Sequence, residues 1–376
     1  MEEKKRVSSS TELPHEILEA AYKAGIDAKE EERSGTFMYV DHSLVLSQVN
    51  KRFKGKLELL DTTEALKKYS WLREYYWRLI DADKDEYTRM VDEKSGGYFM
   101  RILPGAKIEF PLQSCLMISS SGLKQRVHNI IIAEEGSEAR VITGCTAHTE
   151  AKSSQHVSVS EFYIKKGARL SYTMIHTWSR DTLVRPRSVA RLEDDSTFIS
   201  NYVLLNPVKD LRMYPMALCD GINATAGLNS IVYASRGSGV DIGSGIEFNA
   251  PGCRGEIISR VIAKEESMVT ARGIIKGNTS PAKGHLECKG LLLDDSSIIH
   301  AIPELVGARK DVELSHEAAV GKIAEKEITY LMSRGLSRDD ATSIIIKGFL
   351  DVDILGLPAD LQRAVRDIVD KMADAM

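Results

Sequence analysis

Residues 134–142, EEGSEARVI, carry the pattern on which the fold turns. Two acids and a glycine make a turn signal, and alternating apolar positions follow it, as in a half-buried strand. The same phrase precedes it as LPGAKIEF at 103–110 and follows it as KKGARLSY at 165–172. Gly105, Gly136 and Gly167 are evenly spaced, and the turn at Asp194 follows Gly167 after a slightly shorter interval. Further on, the turns opening at Glu265 and Asp294 are separated by nearly the same distance along the chain. The period, about 30 residues, lies in the range of repeat architectures. Short strands and turns at such an interval are the mark of a solenoid, in which one unit cannot bury its own face but stacked units can. A propeller blade needs roughly 40 residues or more, and no leucine-rich signature is present. The reading is mainly β: a right-handed parallel β-helix over 89–316. A solenoid leaves open ends, which helical zones at both termini are expected to cover.

Those zones are 1–88 and 317–376. In the first, LPHEILEAAYKAGID and TTEALKKYSWLREYYWRLIDAD read as helices. Leu66, Tyr69, Leu72, Tyr76 and Ile80 form a stripe for packing against the next domain. In the last, EKEITYLMSRG ends on a C′ glycine, SRDDATSIIIKGF opens with Ser337 as N-cap, and PADLQRAVRDIVDKMADAM opens with proline. Three short amphipathic helices suit docking more than core formation.

The chain has 376 residues and a net charge of −4, which leaves no basic footprint for nucleic acid. No apolar run approaches the roughly 18 residues of a membrane span, and the charged start MEEKKRVSSS is no secretory signal. The expected location is the cytoplasm. The cysteines, Cys115, Cys145, Cys219, Cys253 and Cys288, include no Cys-x-x-Cys pair, so a disulfide framework and a zinc ribbon are not expected. No phosphate-binding loop occurs, and RGSGVDIGSG has Ile242 where a dinucleotide site needs its third glycine.

DVELSHEAAVGKI, residues 311–323, opens as a strand and is expected to close as a helix. His316 and Glu317 sit at that seam. Glu317 follows Cys288 by the same interval that separates Glu265 from Asp294, one turn-to-turn repeat. The thiol is therefore expected beside the imidazole or carboxylate on the next coil. Three readings stand at this point. Cys288 is an inner-face residue with His316 and Glu317 on the surface; or Cys288 and His316 are nucleophile and base of a thiol hydrolase; or the three are mixed sulfur, nitrogen and oxygen ligands of a loosely held metal.

The run VELSHEAAVGKIAEKEITYLMSRGLSRDDATSIIIKGF and the preceding CKGLLLDDSSIIHAIPELVGARKD resemble the closing signature of the SufB/SufD family of iron–sulfur cluster assembly proteins. GYFMRILPGAKIEFPL, VITGCTAH and QHVSVSEFYIKKGARLSYTMIHTW resemble the family's upstream blocks, so the likeness covers most of 95–352. The chain is SufB-like, similar to an archaeal-type or minimal system. The resemblance implies a parallel β-helix and a non-catalytic scaffold on which a transient iron–sulfur cluster forms at a subunit interface. It implies a SufC-type ABC ATPase on the C-terminal helices, pairing through the β-helix as a homodimer or SufB/SufD-like heterodimer, and apo iron–sulfur proteins as recipients. Cys288 and Glu317 match the cluster ligands of a B-type chain, and His316 matches the Ser-His of a D-type chain. Cys145 matches a Gly-Cys site that receives sulfur, with His156 and Glu161 as companions. Nothing in the sequence argues for a flavin. The alternatives are a β-helix carbohydrate-active enzyme and an ATPase-binding module that holds no cluster.

Overall fold

The computed structural model describes residues 5–26, 33–148, 151–204 and 206–350. The third C-terminal helix expected over 358–376 lies outside them. The chain opens with α1 (His15–Lys23), β1 (Gly35–Val40), β2 (Ser43–Val49), β3 (Leu57–Asp61) and α2 (Thr62–Lys68). The solenoid follows as β4 (Tyr98–Ile102), β5 (Leu112–Ile118), β6 (Lys124–Ala133), β7 (Glu138–Ala147) and β8 (Gln155–Ile164). It continues through β9 (Arg169–Thr177), β10 (Leu183–Leu192), β11 (Thr197–Leu204), β12 (Asp210–Met213) and β13 (Met216–Cys219). Then come β14 (Thr225–Ala234), β15 (Gly239–Phe248), β16 (Cys253–Ala263), β17 (Met268–Gly277), β18 (Ala282–Leu292), β19 (Ile298–Gly307) and β20 (Val312–Lys322). Helices α3 (Glu325–Met332) and α4 (Arg338–Phe349) end the described chain.

From β4 onward the chain alternates between two sheets. One runs β2-β1-β5-β7-β9-β11-β14-β16-β18-β20 and the other β19-β17-β15-β12-β10-β8-β6-β4-β3, with β13 beside β12 between β10 and β15. The solenoid strands pair in parallel, so each coil contributes one strand to each sheet: a parallel β-helix. Gly105, Gly136 and Gly167 all have φ near +65°, the left-handed turn conformation glycine adopts without steric cost. Their turns stack: the Gly105 amide donates to Glu135 O (2.8 Å) and the Gly136 amide to Lys166 O (2.9 Å). Later turns use Asp195, Glu265 and Glu266 at positive φ instead. That substitution is why the glycine rhythm fades in the sequence while the coil persists.

Side chains alternate across each strand. One set fills a continuous interior from Phe37 to Cys288, each large apolar residue contributing about 1.5–3 kcal/mol by burial. The other set faces outward beneath the flanking segments. On the first sheet, α1 and α4 cover Cys115, Ile142, Ile175, Ile231, Ile262 and Leu291. On the second, Leu66 and Leu72 pack on Phe99, Ile130 and Ile132, and Ile80 packs on Val157 and Val159.

Four expectations need correction. The zone 1–88 is not mainly helical, because β1–β3 extend the two sheets. The aromatic stripe packs as expected but is not one helix. It leaves α-geometry after Lys68, passes through a short 3-10 turn at Ser70–Glu74, and reaches a positive φ at Trp77. The C-terminal boundary lies later than 317, since β20 runs through His316 and Glu317 to Lys322. There is no seam at that point: in-register pairing with all of β18 holds the segment extended. Finally, among the described residues, helices do not cover the ends. At the N-terminal end, β2 and β3 add antiparallel to β1 and β4, while the C-terminal edge strands β19 and β20 leave Ile298, Val306 and Val320 exposed.

Candidate functional site: a thiol edge and a buried thiol–imidazole cluster

Cys288 lies in β18, with Ser259 of β16 and Ala318 of β20 as its lateral neighbours. Its side chain faces the interior and is 2 % exposed. Burial, reinforced by the neighbouring Glu287 charge, pushes the thiol up to about 11, so at neutral pH it is protonated and a poor ligand. Glu317 is in register with Glu287 and His316 with Leu286. Alternation therefore puts Glu317 on the outer face of the sheet, opposite to Cys288. There Lys289 Nζ holds its carboxylate at 3.2 Å. His316 shares the inner face with Cys288, but on β20, the last strand of its sheet among the described residues, and it is exposed. The expected trio is split because the coil that begins at Cys288 closes at Ala318, one residue beyond Glu317. Among the described residues, no three His, Cys, Asp or Glu side chains are grouped to hold a metal.

The second centre lies inside the helix. Cys145 of β7 is in register with His176 of β9, roughly 4.8 Å away along the sheet. His176 Nδ1 meets Tyr202 Oη at 2.9 Å, its ring packs edge-on against Trp178 at 5.5 Å, and Trp178 lies 4.7 Å from His156. Gln125 Nε2 donates to Asp41 O and Met117 O, which leaves its Oε1 to accept from His156 Nδ1–H at 2.8 Å. Both imidazoles are neutral: burial lowers His156 to about 3, and burial with the neighbouring His156 lowers His176 well below its ordinary value. Burial, with Cys115 nearby, raises the Cys145 thiol well above its usual range. His176 Nε2 and Trp178 Nε1 are buried with no hydrogen-bond partner, a costly arrangement of the kind that marks functional centres.

Glu161 is not part of this cluster. It faces outward, fully buried, and accepts from the backbone amides of Trp77 (2.8 Å), Arg78 (2.7 Å) and Leu79 (2.6 Å). His128 Nε2 is 2.8 Å from the same carboxylate. Glu161 therefore takes over the amides that a continued helix would have bonded, which explains the irregular path of 75–80. His176 was legible from spacing alone, since it follows Cys145 by the same interval as Gly167 follows Gly136. Tyr202, Trp178 and Gln125 carried no such signal.

From this cluster an inner row leads toward the edge. Tyr202, Ser230, Ser259 and Cys288 are successive in-register neighbours, and Ser230 Oγ donates to Ser259 Oγ at 3.1 Å. A cavity of about 30 Å³, room for one or two waters, lies beside Tyr202 and Ser230. No helix among the described residues is long and apolar enough to cross a membrane.

Residues 116–349 match the family model described as the SufBD core domain of SUF-system FeS cluster assembly. An iron–sulfur cluster assembly SufBD family protein of Archaeoglobus fulgidus is 48% identical over 92% of this chain and 92% of its own length. One of Methanothermobacter thermautotrophicus is 43% identical over 100% of this chain and 92% of its own. The iron–sulfur cluster assembly protein SufB of Bacillus subtilis is 30% identical over 93% of this chain and 76% of its own. With the repeating coil, the family model and these relatives in agreement, the chain belongs to the SufBD family of iron–sulfur cluster assembly proteins.

Proposed function

We propose that this protein is a non-catalytic scaffold of the SufB kind, on which a nascent cluster is built at the β19–β20 edge against a second subunit. The observation that carries the reading is the placement of Cys288 on the inner row, one strand in from β20, the edge strand among the described residues. The cluster is cargo. Cys288 as thiolate supplies a soft sulfur ligand, and His316 and Glu317 supply nitrogen and oxygen donors once the edge rearranges. Because Cys288 is buried and Glu317 is on the opposite face, cluster binding requires β20 to shift. A SufC-type ATPase docked on α3 and α4 is the source of that work, and apo iron–sulfur proteins are the recipients. The edge pairs with a second copy or with a D-type partner. Cys145 receives sulfur beside neutral His176 and His156, and the row from Tyr202 to Cys288 is its route. The expected compartment remains the cytoplasm.

Anaerobic reconstitution with iron and sulfide tests the reading. Wild-type protein is expected to gain the visible absorbance of a bound cluster, and Cys288→Ser to lose most of it; equal absorbance would remove Cys288 from the ligand set. A second reading, an ATPase-binding module without a cluster, is favoured by the lack of any assembled donor trio among the described residues. Glu317→Ala separates the two. The scaffold reading has it keep ATPase binding and lose cluster, whereas a module never holds one.

A further inference from the structure

The outer face above Cys288 carries a chain of alternating charges that ends on α4. Phe349 O belongs to the last turn of α4, whose carbonyls have no partner within the helix and where a cation is favoured. Arg260 of β16 fills that position: Nη1 donates to Phe349 O at 3.0 Å, and the guanidinium sits 5.9 Å from the Phe349 ring centre. Its Nη2 donates to Glu287 Oε1 at 2.9 Å. Lys289 Nζ donates to Glu287 Oε2 at 2.9 Å and lies 3.2 Å from Glu317 Oε1. The Arg260, Glu287, Lys289 and Glu317 side chains are 14, 13, 28 and 59 % exposed, so solvent screens only the last link strongly. Burial alone would raise the Glu287 carboxyl; bonds from Lys289 and Arg260 outweigh it and hold the group below its usual range.

Arg260 Nε is buried and has no partner. A guanidinium has a planar fork of donors that suits two-point bonding to a carboxylate, and here that fork is divided between Phe349 O and Glu287. If α4 lifts, Nη1 is released and the group can turn Nε and an Nη together onto Glu287. Lys289 then shifts from Glu287 to Glu317. In the reverse direction, loss of the Glu317 charge leaves Lys289 wholly on Glu287, where it competes with a two-point bond from Arg260 and so keeps Arg260 on Phe349 O and α4 seated.

We infer that Arg260, Glu287 and Lys289 are positioning residues that tie the seating of α4 to the orientation of Glu317. Its functional meaning rests on the scaffold reading, in which α4 meets the ATPase and Glu317 the cluster. The linkage itself is a property of the iron-free chain and is tested there.

The test is backbone hydrogen–deuterium exchange of the full-length protein without iron, followed on peptides covering 338–350. Glu317→Gln removes an exposed charge on β20, outside α4 and in a position that tolerates a neutral isostere. It is expected to slow α4 exchange roughly threefold or more, the size of a coupling between linked groups. Arg260→Gln, which releases Phe349 O, speeds it instead, and adding Glu317→Gln to Arg260→Gln produces no further change. Arg260→Lys, which keeps the charge but reaches one acceptor at a time, behaves as Arg260→Gln and guards against a variant that misfolds. Unchanged or faster α4 exchange in Glu317→Gln, or two effects that multiply independently, overturns the linkage. Failure of Cys288→Ser to lose the cluster would overturn the scaffold reading and leave this result untouched.

Discussion

His156 shows at the residue scale how the interior handles titratable groups. It is 1 % exposed, and its Nδ1 is committed to Gln125. Folded, it binds a proton only near pH 3; unfolded, near the ordinary value of about 6.5. Between these values the unfolded chain holds the extra proton, so stability is present above about pH 6.5 and is lost as pH falls, by roughly 1.4 kcal/mol per unit. His156→Gln is expected to flatten this acid limb, read as a shallower fall of Tm between about pH 6.5 and 4. Cys288 acts at the other end. Its thiol stays protonated to about 11 when folded, so its contribution is intact at neutral pH and is lost as pH rises past the ordinary thiol range of about 8.5. The two residues narrow the stable range from opposite sides for one reason, desolvation of the charged form.

At the scale of elements, two glycines separate turn chemistry from packing. Gly136 turns the chain between β6 and β7 at φ +64°, with open space where a Cβ would go. Gly136→Ala meets only the left-handed backbone cost, about 1–2 kcal/mol. Gly144, within β7, has ordinary backbone, but a Cβ there would lie 2.6 Å from Ala24 O and 2.7 Å from Ile26 Cγ1. Gly144→Ala is expected to cost about 1–3 kcal/mol, the range for overpacking, and to unseat α1. Urea unfolding gives the two costs. Exchange of the α1 amides distinguishes them, because only Gly144→Ala should raise it. The stripe from Leu66 to Ile80 makes the same point: its apolar spacing set which face is buried, and Glu161 set the backbone path.

For the whole molecule, the asymmetry of the ends matters most. The N-terminal end is closed by antiparallel β2 and β3, while among the described residues nothing pairs with the outer edges of β19 and β20, and Ile298, Val306 and Val320 are exposed. An uncovered apolar edge is a template for another chain, and a lysine on it opposes pairing. Val306→Lys is expected to shift the protein toward monomer in sedimentation velocity at micromolar concentration, with Tm unchanged within about 1–2 °C, since exposed positions contribute little to the fold. A wild-type chain that sediments as monomer at all concentrations would assign the edge to a different partner chain.

The sequence by itself determined the coil. Turn residues act locally, through backbone conformations that glycine adopts freely, so the even spacing of Gly105, Gly136 and Gly167 was readable without any neighbour. The same spacing held the Cys145–His176 contact. The resemblance in residues 288–349 was also legible, because motif residues keep their order along the chain whatever their geometry. What only the tertiary structure decided was facing. Sidedness in a strand alternates with every residue, so one residue more or less in a coil reverses it. The coil after Cys288 closes one residue past Glu317, which places Ala318 beside the thiol and turns Glu317 to the outer face. The same parity separates Glu161 from Cys145 and His156. No local pattern encodes that count; it emerges when each strand settles into register on the coil before it.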